Sequence, residues 1–68
     1  METYNLYATK KNGSYELIGN TATKEQAKNK AKRLSTNEYT SYLIIRKSKE
    51  LGDSPVERGD IEDLEWER

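Results

Sequence analysis

Residues 4–20 read Tyr4-Asn5-Leu6-Tyr7-Ala8-Thr9-Lys10-Lys11-Asn12-Gly13-Ser14-Tyr15-Glu16-Leu17-Ile18-Gly19-Asn20, and this stretch decides the fold class. Tyr4, Leu6 and Ala8 alternate with Asn5, Tyr7 and Thr9, the period of two that marks a half-buried strand. Asn12-Gly13 follows, a pair that tolerates the positive φ angles of a type I′ turn and is the strongest short-range signal for a hairpin. Tyr15 to Ile18 returns as the second strand, closed by Gly19-Asn20.

Downstream, Thr23 and Gln26 form a capping box, and the helix is expected to run from about Lys24 to Ser35 with Asn37 as its stop. Its apolar positions, Ala27, Ala31 and Leu34, make a thin stripe that lies close to a sheet while burying little. Ser41 to Lys47 is the third strand, rich in aromatic and branched residues. The order β-β-α-β predicts an α+β domain over residues 1–49: a three-stranded mixed sheet, order 2-1-3, with one helix on one face. Strands two and three are expected to be parallel, joined by a right-handed crossover. Leu6 and Leu17 are expected under the helix, with either Leu43/Ile45 or Tyr42/Ile44. Tyr7, Ile18 and the outward pair of strand three are then left on an uncovered face, with Tyr42 and Ile44 carried as the candidates.

Residues 50–68 read as an acidic linker and tail. Gly52, Pro55 and Gly59 punctuate a polar stretch, and Ile61, Leu64 and Trp66 are embedded among acids, docked as a short helix or strand or left disordered. The charge splits at the same place. Residues 1–49 carry ten Lys and Arg against four acids, and residues 50–68 carry eight acids against two Arg, so +6 faces −6. Such asymmetry indicates electrostatic engagement, with another molecule or with the chain's own other half. Docking of the tail predicts acids near Lys24, Lys28, Lys32 or Arg46 and a buried Trp66 indole.

Composition sets bounds on function. A chain of 68 residues makes one domain and buries only roughly 60% of its unfolded surface. Cysteine and histidine are both absent, which removes disulfides, thiolate metal sites, the usual near-neutral general base and the commonest metal ligand. No nucleophile set, phosphate loop or dinucleotide fingerprint is present, so the expectation is a non-enzymatic chain with no cofactor and no catalytic residue. Asp60, Glu62 and Asp63 offer oxygens to a hard cation, but without EF-hand spacing no metal site is assigned. Met1 to Leu6 lacks a signal-peptide pattern, and the longest apolar run, Tyr42–Ile45, is far too short for a membrane span. The expected setting is the cytoplasm.

Lys24, Lys28 and Lys32, with Arg33 and Arg46, form a candidate basic surface for phosphates or an acidic protein. The plainer reading is a solvated helix face, favoured by cations near a helix C-terminus. An overall pI of 6.3 is low for a dedicated nucleic-acid binder. Five tyrosines and no phenylalanine suit a surface with one side wet, by cross-strand packing or by base stacking.

The strand–hairpin–strand–Thr23-Lys24-Glu25-Gln26-Ala27 pattern over residues 4–34 resembles the small sheet-plus-helix arm-type DNA-binding domains of phage integrases. Those place three strands before the helix; here two precede it and one follows, so no functional residue is carried across. In size and polarity the chain is also similar to small accessory proteins of phages and mobile elements. The leading expectation is a small protein-binding module, a regulator or inhibitor, engaging another protein or a second copy of itself through Tyr7, Ile18, Tyr42, Ile44, Ile61, Leu64 and Trp66. The alternative is a nucleic-acid-associated protein using the basic helix face.

Overall fold

The computed structural model describes residues 2–65. Its elements are β1 (Thr3–Lys10), β2 (Tyr15–Thr21), α1 (Lys24–Ala31), β3 (Tyr39–Ser48), β4 (Gly52–Asp60) and α2 (Ile61–Glu65). The sheet order is β2-β1-β3-β4, with every neighbouring pair antiparallel. The expected order of the first three strands stands, and two features are corrected. The sheet has four strands rather than three, and it is not mixed: β2 and β3 run the same way but on either side of β1.

The fourth strand lies in the segment whose composition reads as a linker. Its turn residues have structural uses inside the sheet. Pro55 sits on the edge strand beside a β-bulge, one of the few sheet positions where a missing N–H is tolerated. Gly59 lies against the Tyr42 ring, and a Cβ there would come within 3.2 Å of Tyr42 Cε1.

The first hairpin forms as expected, though not through a two-residue type I′ turn. Gly13 N–H donates to Lys10 O at 2.9 Å and Lys10 N–H to Ser14 O at 2.8 Å. Among the described residues only Gly13 and Gly52 have positive φ, so Asn12 keeps an ordinary conformation. Its side chain instead accepts from the Ser14 amide at 2.9 Å and hydroxyl at 2.7 Å, holding a longer loop.

At α1, the Thr23 hydroxyl accepts from Gln26 N–H at 3.1 Å, and the Gln26 side chain accepts in return from Ala22 N–H at 3.1 Å. The reciprocal bond thus reaches one residue further back than in a standard capping box. The helix ends at Ala31, a turn before the expected Ser35, because Arg33 and Leu34 donate to carbonyls three residues back. That tightening is common at helix ends.

One core lies between the sheet and the two helices. Leu6, Ala27, Ala31, Tyr42, Ile44, Ile61 and Leu64 are buried together, with Tyr4, Ile18, Leu34, Tyr39 and Val56 packed around them. Ala27 and Ala31 let α1 approach closely. Ile61 and Leu64, three apart on α2, close the far side over β3 and β4. Of the three states open to the tail, residues 61–65 take the short helix; Trp66 lies outside the described residues.

Ile61 is fully buried whereas Leu51 is 69% exposed in the β3–β4 loop. Ile61→Ala should therefore cost about 2–5 kcal/mol and lower Tm by roughly 10 °C or more, while Leu51→Ala stays within about 0.5 kcal/mol of wild type. Thermal melts followed by circular dichroism check this; equal effects would contradict the closing role of α2.

Candidate functional site

Alternation along each strand assigns residues to the helix-covered or the open face, and three register shifts modify the assignment, one of which, between β1 and β3, sets Lys10 opposite Tyr39 while Thr9 opposes Ser41. Between β1 and β2 the register shifts at Leu6/Tyr7, so that Leu6 opposes Gly19 while Tyr7 opposes Leu17. The extra residue is Ile18. It packs against the core, and Leu17 turns outward, 55% exposed. This reverses the expected placement of Leu17 and Ile18, because a bulge inverts the alternation of everything beyond it. A second shift at Ile44/Ile45 does the same for β4: Val56 joins the core, while Pro55 and Arg58 lie opposite Ile45 and Leu43.

The cross-strand pairs lay out the open face in rows. Asn20, Asn5, Ile45 and Pro55 form one; Leu17, Tyr7, Leu43 and Arg58 the next; Tyr15, Thr9, Ser41 and Asp60 the third. Lys47 and Asp53 pair beyond the first row at 2.6 Å. Tyr15 is 75% exposed, and Tyr7, Leu43 and Ile45 are partly buried. A shallow depression of about 480 Å³ opens between Tyr7, Tyr15, Leu43 and Arg58. At the opposite corner, Asn20 Nδ2 donates to Asn5 Oδ1 at 2.6 Å and to Thr3 Oγ1 at 3.2 Å, a polar border to an apolar centre.

The candidate residues therefore divide. Tyr7 is on the open face as expected. Ile18, Tyr42, Ile44, Ile61 and Leu64 are in the core, engaged with the chain's own residues rather than offered outward, and Trp66 is outside the described residues. Leu17, Tyr15, Leu43, Ile45, Pro55 and Arg58 are the open-face residues that sequence reasoning missed. The Leu43/Ile45 pair was legible as one of two alternatives; the local mark of the bulge that turns Leu17 out, Gly19, reads equally well as the end of a strand.

The charge asymmetry is met partly within the chain. Glu57, on β4, lies 3.5 Å from Lys24 Nζ and 3.8 Å from Lys28 Nζ, and accepts from the Tyr42 hydroxyl at 3.1 Å. Two members of the basic surface thus face an acid of the −6 segment. Lys32 is partly buried, Arg33 is exposed, and the Arg46 Nε is buried without a hydrogen-bond partner among the described residues. On the helix side of the sheet the Tyr39 hydroxyl donates to Glu16 Oε2 at 2.6 Å, and that bond, with some desolvation and the Glu16 charge, raises the phenol above its ordinary value. The Asp53 carboxylate likewise raises Lys47, by accepting its hydrogen bond. Both contributions to stability are present below the ordinary Tyr and Lys values near 10 and fade as pH rises through the raised ones.

Among the described residues, no three acidic side chains gather into a group that could hold a metal ion, and no helix is long and apolar enough to cross a membrane. No protein-family model, curated protein or solved structure matches this chain.

Because the Glu57 side chain is only 23% exposed, its ion pairs are partly shielded from solvent. Glu57→Gln, which keeps an acceptor for Tyr42, should cost about 0.5–1 kcal/mol at low salt, and the difference should shrink at high salt. Paired denaturant titrations at low and high salt check this. A salt-independent difference would mean that the charges contribute nothing.

Proposed function

We propose that this chain is a non-enzymatic, cytoplasmic protein-binding module that works through the open face of its sheet, as a regulator or inhibitor that occupies a partner's surface. The observation that carries this reading is the sorting of the two faces. One is filled by the chain's own helices, while the other presents Leu17, Tyr15, Tyr7, Leu43 and Ile45 with no second layer among the described residues. Tyr15 and Leu17 are exposed beside the partly buried Tyr7, Leu43 and Ile45, and apolar side chains clustered on one face are a feature of interaction sites. Tyrosine supplies large contact area with a polar tip, a composition favoured in protein interfaces. The nucleic-acid alternative is less well supported, since Lys24 and Lys28 already face Glu57 and the open face carries acids beside its cations.

The purified full chain should associate with a protein, either itself or a polypeptide retained from its host, and Leu17→Lys should abolish that association while Leu51→Asp leaves it intact. Affinity capture and sedimentation with all three chains, each checked for folding by circular dichroism, make the test. Retention by Leu17→Lys equal to wild type would overturn the reading. Salt-sensitive binding of duplex DNA or single-stranded RNA, lost on Lys24→Ala/Lys28→Ala, would replace it with the alternative.

A further inference from the structure

Resting on the protein-binding reading, we infer that the occupant of the open face is a second copy of this chain, stacked sheet to sheet about a two-fold axis. The sheet's edges point to the face as the route of association. An unprotected edge strand invites strand addition, and both edges here are blunted. β2 carries the bulge at Ile18, and β4 carries Pro55 beside the bulge at Val56. Growth of the sheet sideways is discouraged at each side, whereas nothing of the kind protects the face.

The charge on that face suits a copy of itself better than a polyion. Lys47 and Arg58 are matched by Asp53 and Asp60, so the face has no net charge, and the Lys47–Asp53 pair is internally satisfied at 2.6 Å. A two-fold axis running along the strands, midway between β1 and β3, superimposes the whole of one face on the other. Column β2 then covers the partner's β4 and β1 covers the partner's β3, row for row. Tyr7 falls on the partner's Leu43, and Asn5 on the partner's Ile45. Leu17 lies over the aliphatic stem of the partner's Arg58. Tyr15 faces the partner's Asp60, a hydroxyl donor against a carboxylate acceptor. Each contact occurs twice, as an isologous interface requires, and no like charges are opposed. Sheets stacked in this way sit about 10 Å apart, with side chains of the two inner faces interdigitated.

The area fits a real but weak dimer. Four strands of seven to ten residues present roughly 500 Å² of sheet per copy. The paired faces then bury about 1,000 Å², at the lower end of specific interfaces and in the size class of weak association. Pairing also supplies the missing layer: a body of 37 × 25 × 15 Å, thin along one axis, becomes a four-layer α/β/β/α sandwich.

Sedimentation equilibrium of the full chain between about 5 and about 500 µM spans the expected dissociation constant. Wild type and Leu51→Asp should pass from monomer to dimer mass over that range. Leu17→Lys and Tyr15→Asp, both at exposed positions, both setting like charges against the partner's Arg58 and Asp60 and both confirmed folded by circular dichroism, should weaken association at least tenfold. Wild type remaining monomeric throughout would overturn the inference, as would face variants that dimerise like wild type. The protein-binding reading fails separately. If wild type stays monomeric while Leu17→Lys still abolishes capture of a host protein, the face takes a foreign partner and only the second copy is wrong. If neither association is seen, the reading falls with the inference.

Discussion

Everything in this molecule depends on a core that is closed from one side only. Leu6 and Ile44, at the centre of the sheet, are fully buried because α1 lays Ala27 and Ala31 against them and α2 lays Ile61 and Leu64 beside those. A chain this short has little apolar material to spare. Its two helices are eight and five residues long, and both are spent on the same face. The other face is the remainder, and the functional reading concerns that remainder. Stability and binding therefore draw on different residues, so that surface variants on the open face can be made without dismantling the fold.

The bulges at Ile18 and Val56 decide which residues of the two edge strands fall on which side. Without the extra residue at Ile18, the alternation of β2 would place Leu17 under α1 and Ile18 outside. Without the one at Val56, β4 would present its other set. Each bulge sits on an edge strand, where it also bends the strand away from unwanted pairing. One device thus does two things: it delivers Ile18 and Val56 to the core and leaves the open face as the surface available for association. The same rearrangement puts Glu57 on the helix side, where Lys24, Lys28 and the Tyr42 hydroxyl surround it.

Much of this was legible in the residues, and the failures have identifiable causes. The Asn12-Gly13 hairpin, the Thr23 cap and the branched run of β3 are strong local signals, and local signals of that kind carry through. β4 was hidden because Gly52, Pro55 and Gly59 are loop residues by propensity; their place in the sheet follows from partners, namely the edge position beside Val56 and the close approach of Tyr42. Acidic residues in the same stretch reinforced the look of a linker, although two of them, Asp53 and Glu57, are where opposite charges of the two segments meet. The open face was anticipated as a feature, but of its proposed residues among those described only Tyr7 lies on it. A bulge is a tertiary choice about register, and its local marks here, Gly19 and Pro55, read equally well as the ends of strands.

The central claim, that β3 divides the molecule with Ile44 inside and Ile45 outside, is tested most directly on those adjacent isoleucines. Methyl NMR of the Leu17→Lys chain, whose open face is uncovered under either kind of partner, with a water-soluble paramagnetic agent measures their exposure individually. The account predicts strong broadening of the Ile45 methyls and little at Ile44 and Ile61. Equal broadening at Ile44 and Ile45, or greater broadening at Ile44, would contradict it.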